Sequence, residues 1–329
     1  MKKIAINGFR RIGRAMLKVI IETAEMRVVA VNDLMSIENA AYLFKYDSVY
    51  GVYEGEVGFD DNHLLINDEK ILFLSEKDPA QLPWKDLSID VVIESTGFFT
   101  KKEDAEKHIH AGAKHVVISV PSKSKDTPTV LHGGNSLEGK TSVFSCASCT
   151  KNNIGPVLKI IDRKIGIKKA ILNTIHAYTS SQSFIDAPSK RDFRMGRLAA
   201  INLVPASTGA AIAATKILPQ LDGKFDGIAI RTPVPVDSIS DITLVAARNT
   251  SAGEINDILL EESKTDRYKQ VLSASNESLV SSDILQSSFA SIVDLKMTRV
   301  VDGDLVKIMA WYDNEWGFTN QMIREIKTL

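Results

Sequence analysis

The chain alternates short apolar runs with stretches in which apolar residues recur every three or four positions. KIAIN at 3–7 is a run suited to a strand buried on both faces. RIGRAMLKVIIETA at 11–24 puts Ile12, Ala15, Met16, Val19 and Ile20 on one helical face. MRVVAVND at 26–33 is a second apolar strand. Strand, helix and strand within about thirty residues make one unit of a parallel sheet, because parallel neighbours need a crossover connection. The pattern recurs as IDVVIESTG (89–97), KKEDAEKHIHAGA (101–113) and HVVIS (115–119). Residues 1–148 therefore predict an open, doubly wound α/β sheet of the Rossmann type, mainly parallel.

After residue 148 the rhythm changes. CTKNNIGPVLKIIDRKIG (149–166) reads as a helix stopped by Gly166, and AILNTIHAY (170–178) as a strand. Residues 179–206 form a polar segment carrying Pro188 and several Arg and Lys, too long for a plain connector and so expected to be functional. β-prone runs follow at 225–236, 240–248, 288–301 and 305–313, with helices expected at 208–219 and 252–263. They predict an α+β domain on a mixed or antiparallel sheet. EWGFTNQMIREIKTL reads as a terminal helix with Phe318, Met322, Ile323 and Ile326 on one face. The expected division is a dinucleotide-binding domain over 1–148 and a catalytic domain over 149–314, with the helix at 315–329 packing back onto the first.

Composition narrows the classes. At 44% hydrophobic and 25% charged residues with a formal net charge of −1, the chain reads as a globular protein with no global field to draw nucleic acid or an acidic membrane. Lys101, Lys102, Lys123 and Lys125 read as solvated faces. No run approaches the roughly 20 apolar residues of a membrane span, and the N-terminus enters a strand pattern without a signal peptide, so a cytoplasmic protein is expected. Cys146 and Cys149 are the only cysteines, too few for a disulfide framework.

INGFRRIGR at 6–14 approaches the dinucleotide fingerprint G-x-G-x-x-G. Gly8 and Gly13 fill the outer positions in strand-turn-helix context, but Arg10 stands in the middle. Either Arg10 crowds the phosphates, or its guanidinium lies beside them as an extra cation. The free amides of Arg11 and Ile12 at the helix start favour an anion in both cases. Asp33 lies twenty residues after Gly13, where a carboxylate accepts from the ribose hydroxyls and repels a 2′-phosphate. NAD is the expected cofactor.

VFSCASCTKN places Cys149 where a strand ends and a helix begins, and a helix start favours thiolate. Four readings of the two cysteines stand side by side: a nucleophile at Cys149, a redox pair, buried structural thiols, or metal ligands. Too few ligand residues lie nearby for metal, and no metal is expected. A nucleophilic thiolate needs a base. His108 and His110 face different ways on one helix, and His63, His115 and His132 sit in ordinary contexts. His176 ends an apolar strand just before the long polar segment, where an active-site wall belongs, although a histidine there can equally be structural.

Taken together, INGF.RIGR, ESTGFFT, ASCT.N, HAYT..Q, PASTGAA, SLVSSD and WYDNEWGF occur in the order and spacing of one family. Over essentially all of its length the chain resembles phosphorylating glyceraldehyde-3-phosphate dehydrogenases. The resemblance implies that Cys149 attacks the aldehyde, that His176 lowers the thiol pKa and acts as base, and that phosphate cleaves the resulting thioester. It implies Thr179 and Arg231 at the substrate phosphate, and Ser148, Thr150, Thr208 and Gly209 at inorganic phosphate. Gly8, Arg11, Ile12, Gly13, Asp33, Ser119 and Asn314 would hold NAD. It also implies a homotetramer in which residues 179–203 reach a neighbouring subunit.

The chain departs from the family's pattern at several positions. Arg10 replaces a glycine, and Cys146 an asparagine; Lys151 and Asn153 replace threonine and cysteine. Phe318 stands where tyrosine is common, and Met195 where some members carry a phosphate-binding arginine, with Arg194 and Arg197 nearby. Two alternatives accompany the main reading: an erythrose-4-phosphate dehydrogenase, disfavoured by the full STG at 207–209 and by Thr179, and a non-catalytic descendant of the same fold.

Overall fold

The structure is a computed structural model and describes residues 1–137, 141–190, 192–210 and 218–329. It falls into two compact units. The first comprises Met1–Val130, Ser136–Ser148 and Met322–Leu329, the second Leu131–Asn135 and Cys149–Gln321.

In the first unit β1 (Lys2–Asn7), α1 (Arg11–Ile21) and β2 (Met26–Asn32) form the expected opening. There follow α2 (Ile37–Lys45), a two-residue ladder of β3 (Tyr46–Asp47) with β4 (Gly51–Val52), and the meander β5 (Val57–Phe59), β6 (His63–Ile66) and β7 (Glu69–Leu74). The unit continues with α3 (Trp84–Leu87), β8 (Val91–Glu94), α4 (Lys102–His110), β9 (His115–Ile118) and β10 (Val143–Ser145). Strand order is β10-β9-β8-β1-β2-β7-β6-β5, parallel from β10 to β7 and antiparallel beyond it. Winding reverses between β1 and β8, and in such sheets ligands bind outside the carboxyl ends of the strands at that reversal.

Those ends are tied together by buried polar side chains. The Trp84 indole can only donate, and it donates to His108 Nδ1 at 2.9 Å, which leaves His108 Nε2–H for Glu94 Oε2 at 3.3 Å. Asn7 Nδ2 donates to the same Glu94 oxygen at 2.6 Å, Asn32 Nδ2 donates to Asn7 Oδ1 at 2.7 Å, and Thr96 donates to Glu94 Oε1 through both its amide and its hydroxyl. β1, β2 and β8 are thereby locked in register where the cofactor crevice is expected.

The second unit opens with α5 (Cys149–Lys164), followed by β11 (Ile167–Ala177), β12 (Val204–Ser207), β13 (Phe225–Thr232) and β14 (Ser238–Ala246). After the helix Ala252–Ser263 come β15 (Leu272–Ser275), β16 (Ser291–Asp294), β17 (Arg299–Val301) and β18 (Leu305–Tyr312). The sheet order is β12-β13-β11-β14-β18-β16-β15, with β17 on β18. Only β11–β13 and β15–β16 are parallel, so the sheet is mixed, as expected. α5 packs across β11, β14, β16 and β18, burying Ile154, Val157, Leu158 and Ile161. The helix Trp316–Thr328 carries the expected apolar face, with Phe318, Met322, Ile323 and Ile326 all buried. The helix expected at 208–219 lies for the most part outside the described residues.

Candidate active site

α5 begins at Cys149, so the thiol stands on the first turn of a 16-residue helix among amides without intrahelical acceptors. β11 delivers His176 to it, with Nε2 3.5 Å from Cys149 Sγ. His176 Nδ1 lies 2.7 Å from its own neighbour's carbonyl, Ala177 O; donation there leaves Nε2 free to accept from the thiol. β13 runs parallel beside β11 and sets Arg231 opposite His176. The guanidinium Nη1 sits 2.8 Å from Nδ1 and donates to Ala177 O at 3.1 Å, while its buried Nε has no partner.

The electrostatics correct one expectation. Burial pushes the Cys149 thiol up, outweighing the opposing pull of Thr150 and Arg231. Burial, helped by the Arg231 charge, drives His176 down to about 3. The pair therefore rests as thiol and neutral imidazole, not as the thiolate that the helix start alone suggested.

Sequence reading passed over Tyr312, the deepest residue of this cluster. Its hydroxyl lies 3.0 Å from Thr150 Oγ1 and 2.9 Å from Thr174 Oγ1, and it also bonds Ser238. Its ring meets that of His176 edge-on, centroids 6.0 Å apart. Ser238 Oγ accepts from Ala177 N at 3.2 Å and donates to Asn314 Oδ1 at 3.1 Å, which ties Asn314 to the same group. The available signal was the alternation of β18, which turns Tyr312 inward. Asp237 was also missed. It is buried with a φ of 71°, and burial together with Asp313 and Glu315 raises its carboxyl to about 8.

The remaining phosphate-side residues are placed less tightly. Thr179 follows β11 by two residues, and its hydroxyl pairs with Ser181 at 2.9 Å. Near it the Gln182 amide is buried with neither polar atom partnered. Ser148 directly precedes α5 in the chain. Thr208 and Gly209 follow β12; because Val204 pairs with Arg231 and Ser207 with Ile228, they lie toward the end of β13 away from Arg231. Arg197 is engaged by Asp186 at 3.1 Å, whereas Arg194 is exposed beside Met195. Asn153 fills its position by donating to Ser291 Oγ and to the carbonyls of Ala310 and Trp311.

On the cofactor side Gly8 has a φ of 96°, and a Cβ there would lie 2.6 Å from Thr96 N; one on Gly13 would lie 2.1 Å from Gly8 O. Both glycines are thus required by the turn between β1 and α1. Arg10 is not excluded by it. Its backbone is extended (φ −74°, ψ −164°) as the N-cap of α1, a conformation open to any residue. Asp33 accepts from Phe9 N at 2.6 Å and Met35 N at 3.0 Å, joining the end of β2 to the turn. Arg11 pairs with Asp47 at 3.4 Å, Ile12 lies in the first turn of α1, and Ser119 is buried at the end of β9. Among the described residues no cluster of His, Cys, Asp and Glu could hold a metal.

Comparison with known proteins agrees with this arrangement. The family model for the glyceraldehyde 3-phosphate dehydrogenase NAD binding domain matches residues 2–102, and that for the C-terminal domain matches 148–314. The chain is 43% identical to the glyceraldehyde-3-phosphate dehydrogenase of Clostridium pasteurianum over 333 residues, covering 99% of this chain and 98% of that one. It is 43% identical to that of Thermotoga maritima (100% and 99% covered) and to glyceraldehyde-3-phosphate dehydrogenase 1 of Kluyveromyces lactis (98% of each). The chain belongs to the glyceraldehyde-3-phosphate dehydrogenase family.

Proposed function

We propose that the protein oxidises and phosphorylates D-glyceraldehyde 3-phosphate to 1,3-bisphosphoglycerate through a thioester on Cys149. The observation that carries this is the Cys149 Sγ–His176 Nε2 approach of 3.5 Å at the start of α5. As Sγ adds to the aldehyde carbon, its proton passes to Nε2, which the Ala177 carbonyl holds in the accepting tautomer. The imidazole then takes the hydroxyl proton of the thiohemiacetal as the carbonyl re-forms. Bound NAD supplies the hydride acceptor. Inorganic phosphate attacks the thioester carbon, the acyl phosphate leaves, and Sγ regains a proton.

Arg231 and Thr179 hold the substrate phosphate in this reading, and Ser148, Thr150, Thr208 and Gly209 the attacking phosphate. Gly8 and Gly13 leave the close backbone approach that a dinucleotide needs, the first amides of α1 at Arg11 and Ile12 face its pyrophosphate, and Asn314 and Ser119 serve the nicotinamide end. Asp33, an anion at the end of β2, favours NAD over NADP.

The first unit (1–148) serves as the cofactor domain and 149–314 as the catalytic domain, and a homotetramer completes the molecule. Ile171, Ile228 and Leu305 stand exposed on strands of the second sheet, as do Phe184, Phe193 and Ile201 in the 179–203 segment. No helix among the described residues is long and apolar enough to cross a membrane, and a cytoplasmic location suits the reaction. The test is NADH formation from glyceraldehyde 3-phosphate with NAD. Phosphate-dependent turnover, abolished in Cys149→Ser with NAD binding kept, supports the reading. Phosphate-indifferent turnover, or none, overturns it.

A further inference from the structure

Proton counting in the cluster around Tyr312 assigns each of its hydroxyls a direction. A hydroxyl has one proton to give and lone pairs to receive. Ser238 gives its proton to Asn314 Oδ1 and receives the Ala177 amide, so it meets the Tyr312 hydroxyl only as an acceptor. Tyr312 therefore donates to Ser238, and its oxygen accepts from Thr174 at 2.9 Å and from Thr150 at 3.0 Å. The chain of donation runs one way, from Thr150 through Tyr312 and Ser238 to Asn314. All four residues are at least nine-tenths buried, so water does not scramble it.

The consequence falls on Thr150, next to the nucleophile and 4.0 Å from Cys149 Sγ through its hydroxyl oxygen. With its proton turned inward, Thr150 offers only lone pairs outward. We infer that Tyr312 is a positioning residue that sets Thr150 as an acceptor, so that the site beside Cys149 selects an oxyanion carrying its own O–H. Hydrogen phosphate has such a group at neutral pH, and sulfate, of similar size and charge, has none. The discrimination arises because sulfate would face a lone pair with a lone pair. This inference rests on the reading that Thr150 belongs to the inorganic-phosphate site.

The experiment compares inorganic phosphate as substrate with inorganic sulfate as its competitor, in the parent, Tyr312→Phe, Ser238→Ala and Thr150→Val. Tyr312→Phe removes the acceptor for the Thr150 proton, and Ser238→Ala frees the phenol proton to turn toward Thr150; each lets Thr150 donate outward. In both, the phosphate KM should rise and the sulfate inhibition constant fall, each by about fivefold, the worth of one hydrogen bond. The single-turnover NADH burst should stay at the parent level, because it precedes phosphate attack. A merely structural role would weaken both oxyanions together. An unchanged ratio of the two constants, in variants that still give the burst, overturns the inference. A parental phosphate KM in Thr150→Val overturns the phosphate-site reading itself. A raised KM there with no change of ratio in the other two variants overturns the inference alone.

Discussion

Gly13→Ala tests the cofactor turn at its tightest point. The new Cβ would lie 2.1 Å from Gly8 O, 0.9 Å inside the 3.0 Å below which such contacts essentially never occur. Neither partner has slack. The Gly8 oxygen is held by Ser95 Oγ at 2.6 Å, and Gly8 itself is pinned at φ 96° against Thr96. The relief is a shift of α1 by nearly 1 Å off the sheet, away from contacts that bury Ala15, Met16, Val19 and Ile20. Overpacking of this kind costs about 1–3 kcal/mol, and a backbone neighbour puts it at the upper end. Loss of the Ser95 bond adds about 1 kcal/mol, which the better helix propensity of alanine offsets by about 1 kcal/mol. The expected loss is therefore about 3 kcal/mol in the first unit, read as an earlier denaturant midpoint for that unit's transition. NAD affinity measured by calorimetry should fall at least about tenfold, since the displaced amides of α1 no longer meet the pyrophosphate. Arg10→Gly is the control: its extended backbone tolerates either residue, so any change in NAD affinity reports the guanidinium alone. A Gly13→Ala protein with the parent's midpoint and the parent's NAD affinity would refute the reasoning.

Two further outcomes follow from single side chains. Asp237 titrates at about 8 in the folded chain against 3.8 when unfolded, so folding favours its protonated form. The unfolded state loses that proton first, and stability drains away as pH rises from about 4 to about 8, then levels off. Asp237→Asn should gain on the parent across that window and no further; a pH-independent difference in unfolding midpoints would contradict the assignment. Asp33→Asn keeps acceptors for the Phe9 and Met35 amides while removing the charge, and should raise kcat/KM with NADP relative to NAD by about tenfold, roughly the worth of one charge-assisted contact. An unaltered ratio would show that Asp33 does not read the 2′ position.

Much of the fold was legible because it rests on periodicity. The helix expected at 252–263 is the one observed at Ala252–Ser263, and the strands around Ile6, Val31, Ile93 and Val117 are apolar runs that only a doubly covered sheet can bury. The meander β5–β7 was not seen, since VGF, HLLI and EKILFL are short, polar-flanked pieces that define strands only by pairing with one another and with β2. The run at 288–301 reads as one strand but breaks at Leu295–Met297, whose short 3₁₀ turn lets β17 join β18 separately. β15 gave no signal because LSAS, with one fully buried position, has no alternation to read.

The site divides along the same physical line. Cys149 and His176 could be found from local context, a helix start and a strand end, and the structure brings them within 3.5 Å. Their protonation could not, because a helix start argues for the anion, whereas the loss of water around Sγ argues for the thiol with greater weight, and that loss is a property of the packed unit. Tyr312 was invisible for the same reason. Its partners Thr150, Thr174 and Ser238 come from α5, β11 and β14, and no spacing in the chain connects them. A hydroxyl acquires a direction only from the acceptor beyond it, here Asn314 behind Ser238. The choice of oxyanion at Thr150 is therefore set three hydrogen bonds away, on the side of the cluster where Asn314 is expected to meet the nicotinamide.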